Sequence, residues 1–393
     1  MKEKLRSVVI LALTIVVLLL APTRLPADTG MCGGCVMTTV PFTDVMGNIF
    51  FCSIAEAYFS GLTNGTTPTT YSPSAVVLRD QMSAFVTRTQ DSTLRRASRQ
   101  AALRQWATPP KLPVTSRTTV GPFPQLVASD GLDLWVASIA SGGSVARVRA
   151  SDGTVLGTWT GATNAFGVLI ARGRIYITGE TNPQGHLYVI DPGMAPGPVA
   201  TLSSLLGGNP NGISTDGTWI WTANRFGSVS KIDPDTGVAT NITTGFNGPG
   251  DILFDGANLW VTDFNDNKLK KLDATGNVIQ NAPVGNNPQL PVFDGSNIWV
   301  PNAGDNSVTV VRVRDGMVLA TLTGNGLSGP AQAAFDGERI LVTNVSANSV
   351  SLWKATDLTP IGSVSTGMAS PFGACSDGLN FWITLGPSQL ARL

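Results

Sequence analysis

One phrase, Asp-Gly followed three to five residues later by an aliphatic–aromatic–aliphatic run, returns along most of the chain. It reads Asp130-Gly131 before Leu134-Trp135-Val136, Asp216-Gly217 before Ile220-Trp221, and Asp255-Gly256 before Leu259-Trp260-Val261. Further copies are Asp294-Gly295 before Ile298-Trp299-Val300, Asp336-Gly337 before Ile340-Leu341-Val342, and Asp377-Gly378 before Phe381-Trp382-Ile383. A seventh, in which Ala171-Arg172-Gly173 precedes Ile175-Tyr176-Ile177, keeps the spacing without the aspartate. A fixed period of roughly 40 residues means stacked supersecondary units and outranks any local signal.

One unit, residues 248–285, reads as four short strands. Asp251-Ile252-Leu253-Phe254 runs into the Asp255-Gly256 turn, where glycine tolerates positive φ. Leu259-Trp260-Val261-Thr262 is rich in β-formers, Lys268 to Asp273 makes a third strand after an Asn/Asp-rich turn, and Asn277-Val278-Ile279-Gln280 makes a fourth. Such a meander cannot bury both faces alone, so the copies must stack, and a closed ring limits open edges. The expected fold is all-β, a seven-bladed β-propeller. Trp135, Tyr176, Trp221, Trp260, Trp299, Leu341 and Trp382 hold the same place in each copy, which marks them as core between blades rather than a ligand cage. The last copy has room only for Gln389 to Leu393 after its second strand, and Val114 to Val120 resembles an outer strand. Closure of the ring by pairing the two ends of residues 114–393 follows.

The repeats resemble the YVTN and NHL-type propellers of exported bacterial proteins and, more loosely, the streptogramin lyase propeller. The matching pieces are Trp260-Val261-Thr262-Asp263 with its Asn-rich turn, Leu341-Val342-Thr343-Asn344 before Asn348-Ser349-Val350, and Ser228 to Asp233 running into Pro234-Asp235-Thr236-Gly237. The likeness covers all seven copies. It specifies architecture far better than activity, since one fold hosts many functions.

The first 113 residues read differently. Lys2, Lys4 and Arg6 precede an apolar run from Val8 to Ala21, and Leu25-Pro26-Ala27 offers a small-residue cleavage site, so residues 1–27 are expected to be an export signal. An uncleaved anchor is the rival reading. A Cys-containing lead, 28–39, is followed by a small α-helical module with a basic helix, 40–107, and a Pro-rich linker, 108–113. Within the module, an apolar helix is expected around 49–59, a second over 75–88, and a third carrying Arg88, Arg95, Arg96, Arg99 and Arg104. Phe42-Thr43-Asp44-Val45, Gly61-Leu62-Thr63-Asn64-Gly65 and Tyr71-Ser72-Pro73 resemble one S-layer homology (SLH) module, a unit that attaches exported proteins to bacterial wall polysaccharide. That resemblance implies cell-wall polysaccharide as a partner and Arg79 as its binding residue, although Leu78-Arg79-Asp80-Gln81 replaces the family's Thr-Arg-Ala-Glu.

Chemistry is sparse. The chain carries 26 Lys+Arg against 26 Asp+Glu, which argues against nucleic acid as a partner. Of its four cysteines, Cys32, Cys35 and Cys52 are disulfide candidates in an exported chain, and no metal or cofactor motif accompanies them. Cys375 reads as buried in an inner strand. The one histidine, His186, lies close in sequence to Glu180, and a propeller lyase would use such an acid–base pair. Asn224, Asp263, Asn302 and Asn344 close their second strands and are expected at the rim of one face, either binding a protein or glycan or bonding their own turns. The reading is an exported cell-surface protein with an SLH-like attachment and a binding propeller. Its alternatives are a secreted propeller lyase and an unanchored assembly scaffold.

Overall fold

The computed structural model describes residues 27–32, 36–59, 63, 65–75, 82, 113–139, 142–367 and 370–393. It divides into an N-terminal unit and a larger C-terminal one. The export signal, Arg79, Cys35, the basic helix, and the second expected helix apart from Ala75 and Met82 lie outside the described residues.

The C-terminal unit is a seven-bladed propeller of seven four-stranded antiparallel sheets. In the fourth blade the inner strand Pro249–Phe254 pairs with Leu259–Asp263, then Lys268–Leu272, then Val278–Pro283. The ring closes as the incomplete last copy requires. Ser116–Thr119 pairs with Gln389–Arg392 and becomes the outer strand of the sheet begun by Pro371–Ser376 and Phe381–Leu385. Pairing the two ends in one sheet covers edges that would otherwise invite another chain.

The repeated phrase now has a physical account. Asp255 accepts hydrogen bonds through Oδ1 from the amides of Ala257 (2.7 Å) and Asn258 (2.6 Å), which caps the turn. Its Oδ2 accepts the indole N–H of Trp260 at 2.7 Å. The same double service recurs between Asp216 and Trp221, Asp294 and Trp299, and Asp377 and Trp382. These tryptophans have no solvent exposure, and a buried indole N–H needs a partner. The spacing from Asp to Trp is therefore set by one side chain reaching both. Blade one is the exception: Asp130 caps its turn, but Trp135 Nε1 is buried without a partner.

A second device binds blade to blade. Thr178 donates to the carbonyl of Asn211 (3.1 Å), Thr343 to that of Phe372 (2.8 Å), and Thr384 to that of Gln125 (2.7 Å). Each hydroxyl also accepts an amide of its own inner strand, from Gly167, Gln332 and Gly373 respectively. One buried hydroxyl thus serves two inner strands, and the bond from Thr384 joins the last blade to the first.

In the N-terminal unit the Cys-containing lead forms a hairpin, Asp28–Cys32 with Val36–Val40, where no regular element was expected. Among the described residues it carries one helix, α1, Phe51–Phe59. Phe42, Val45, Phe51 and Ile54 form its core, with Phe42 edge-on to Tyr58 at 5.3 Å. Asp44 accepts the amides of Tyr71 and Ser72, so the Phe-Thr-Asp-Val motif serves packing and turn bonding. Gly65, at φ +81°, leaves no room for a side chain beside Phe42. Cys52 is disulfide-bonded. No helix among the described residues is long and apolar enough to cross a membrane.

Candidate functional site

The four Asn/Asp residues expected at the rim are turned inward, each with no solvent exposure. Asn224 donates through Nδ2 to Ser228 and Ser230, Asn302 to Ser307 and Thr309, and Asn344 to Ser349 and Ser351. Asp263 meets a cation instead: Lys270 Nζ lies 2.8 Å from its Oδ2, with side-chain exposures of 3% and 0%. Its oxygens also accept the amides of Asn247 and Gly248. Lys270 stands where the neighbouring blades have Ser230 and Thr309, and its length carries it on to Asp266 and the Gly245 carbonyl. The motif clamps the second strand to the third. It engages these side chains within their own blades.

The His186–Glu180 pair is set apart by the blade register. His186 pairs with Gly179 and Glu180 with Gly185, two successive positions of an unbroken antiparallel register. Successive side chains point to opposite faces. Glu180 shares its face with Tyr176 and Leu187, packed with Leu206 of the same blade and Ile220 of the third. His186 shares the other with Ile177 and Tyr188, packed with Trp135 of the first. His186 stacks on Tyr188 and shares a 2.5 Å hydrogen bond with Thr181, and burial lowers its pKa, favouring neutral imidazole. Its Nδ1 and Glu180 Oε2 are buried without partners.

What the propeller does gather lies at one mouth of its central channel. Phe166, Asn211, Gly250, Gln289, Leu290 and Phe372 come from the starts of five inner strands or the segments leading into them, and Arg225 reaches in from the turn between second and third strands of blade three. They line a shallow recess with an enclosed volume of about 10 Å³, room for about one water, open to solvent on one side. Arg225 enters no ion pair among the described residues, its Nε is buried without a partner, and its guanidinium lies 5.0 Å from the centroid of Phe264. Burial lowers its pKa. Phe226, the next residue, is 66% exposed on the same face, and Phe123 is exposed there as well. Sequence reasoning passed over Arg225. The signal was present: at that position the other blades carry Ile139, Glu180, Phe264, Ala303, Val345 and Gly386, so blade three alone places a cation there.

Asp251, on the inner strand of blade four, accepts the Ile252 amide. Burial raises its pKa to about 7, only partly offset by that amide. Cys375 is a free thiol in the last inner strand, half-buried rather than buried, and burial raises its pKa. Among the described residues no group of three or more His, Cys, Asp or Glu is placed to hold a metal.

Against known proteins, the similarity is one of architecture. Virginiamycin B lyase from Staphylococcus aureus superposes with a TM-score of 0.58 at 15% identity, covering 70% of this chain and 97% of that one. The fold is shared. A streptogramin B lyase structure gives 0.59 at 16% identity, covering 71% and 97%. Hydrazine synthase from Kuenenia stuttgartiensis gives 0.56 at 19% identity, covering 71% and 95%. The Staphylococcus aureus enzyme is also known as a catalytically inactive histidine-to-alanine variant with quinupristin. No protein-family model matches the chain, and no curated protein matches it.

Proposed function

We propose that this chain is an exported bacterial cell-surface protein whose propeller binds a glycan on the loop face, with the N-terminal unit attaching to wall polysaccharide through Arg79. The observation that carries the binding reading is the unpaired Arg225 beside exposed Phe226 at the channel mouth. Arg225 is half-buried, with its Nε buried and no carboxylate paired with it among the described residues; a partly desolvated cation without a counter-ion is costly to keep in a fold, and convergent polar groups in an aromatic-lined recess are how sites orient ligands. A lyase reading draws on the shared fold alone, because the blade register keeps His186 and Glu180 apart. Binding of the chain to a glycan array, lost on Phe226→Ala with the melting temperature unchanged, tests the face. An array without hits would sink the reading. Co-sedimentation of the chain with bacterial sacculi, lost on Arg79→Ala, tests attachment; a chain that stays in the supernatant rules it out.

A further inference from the structure

We propose that the channel mouth is a carboxylate site in which Arg225 anchors the acid group of an acidic sugar, of the hexuronate kind. This rests on the reading that the loop face binds a glycan, and it names the chemistry that the face selects.

The electrostatics ask for an anion. Arg225 Nε is buried with no acceptor, and no carboxylate among the described residues forms an ion pair with the guanidinium. Glu180, at the equivalent position of the preceding blade, does not pair with it and has its own buried oxygen unpartnered. Phe264 lies against the guanidinium at 5.0 Å, which restrains its plane. A planar fork held in this way matches the two oxygens of a carboxylate.

The remaining lining points to a sugar acid. Asn211 lines the same space at 6% exposure and brings a neutral side-chain amide to it. Gln289 spends its Nε2 on the carbonyl of Asn287 and leaves Oε1 as an acceptor. Two neutral amides beside one cation suit a single negative charge with hydroxyls next to it. A phosphate monoester would bring up to two charges to one cation. Phe166 and Phe372, edge to face at 5.8 Å, supply the apolar wall against which the C–H face of a sugar ring rests. The recess has an enclosed volume of only about 10 Å³, room for one water-sized group, so an acid-group oxygen enters it and the sugar ring stays outside at the mouth.

The test is a calorimetric or NMR titration of the full chain with D-glucuronate, D-glucose and inorganic phosphate. It is repeated on Arg225→Gln, Arg225→Lys and Asn211→Ala. Saturable glucuronate binding is expected, at least tenfold tighter than glucose or phosphate. Arg225→Gln should weaken it at least tenfold, Arg225→Lys should fail to restore it fully, and Asn211→Ala should weaken it several-fold. The melting temperature of Arg225→Gln should not fall, since the change removes an uncompensated charge. Absence of glucuronate binding, equal binding of glucose or phosphate, indifference to Arg225→Gln, or a lowered melting temperature of that variant would each overturn the proposal. A neutral glycan still held by Arg225→Gln would overturn the carboxylate site and leave the binding face standing. A chain that binds no glycan loses both.

Discussion

The Asp–Trp link makes a quantitative demand on blade four. Asp255→Ala removes two turn-capping hydrogen bonds and the acceptor of the Trp260 indole. The amide of Ala257 can turn to water, so the cap is worth roughly 1 kcal/mol, while a buried donor left unpaired costs about 1–3 kcal/mol. Since Trp260 has no exposure, the full donor penalty applies, and the substitution should cost about 2–4 kcal/mol. For a unit of this size that lowers the melting temperature by about 5–10 °C. Trp260→Phe keeps an aromatic ring and deletes the donor. In that background Asp255→Ala should cost only the cap, leaving a coupling energy of about 1–3 kcal/mol in the double-mutant cycle. Asp130→Ala is the internal control, because Trp135 Nε1 has no partner to lose; it should cost roughly 1 kcal/mol. Guanidinium unfolding of the four blade-four proteins and the control measures all of this. A coupling below about 0.5 kcal/mol, the scatter for independent sites, would refute the claim that the carboxylate holds the indole.

Lys270→Met should destabilise by about 3–5 kcal/mol, because it strands a buried carboxylate. The double change Asp263→Asn with Lys270→Thr, which copies the clamp of blade five, should come back to within about 1 kcal/mol of the parent; denaturant midpoints decide, and a double variant as weak as the single one would show the clamp is not interchangeable. Asp251 gives a pH dependence of definite sign. Its folded pKa of about 7 lies above the usual carboxylate value near ~4, so its stabilising contribution is complete below ~4 and is lost as pH rises through 7. Relative to Asp251→Asn, the parent should therefore weaken between pH 4 and 8, by at most about 4 kcal/mol; parallel pH profiles of unfolding would contradict this. Thr384→Val should cost roughly 1–3 kcal/mol by breaking the hydroxyl link between last and first blades, and an unchanged unfolding midpoint would show that the link contributes nothing.

The fold was legible because a propeller is a local message repeated. Each copy carries its own turn glycine, its own core aromatic and its own alternation, so period and count gave seven blades, and the short last copy gave the closing strand. The site was not legible in the same way. Asn224, Asp263, Asn302 and Asn344 were rightly marked as special, but whether an Asn at a strand end faces solvent or its own blade depends on the Ser, Thr or Lys placed opposite by the register. His186 and Glu180, six residues apart, looked like neighbours; the hairpin register sets them one position out of step, so they point to opposite faces of the same blade.

The N-terminal third shows the same division on a smaller scale. Its motif residues Phe42, Asp44 and Val45 were visible in the chain, yet only packing reveals that they hold the unit together. By itself, then, the sequence determined the repeat, the ring and its core column, because those depend on residues within one period. Tertiary structure alone decided the threonine links between inner strands and the channel mouth. There Phe166, Asn211, Gln289, Phe372 and Arg225 meet from four blades, and no local pattern records a meeting that only closure of the ring creates.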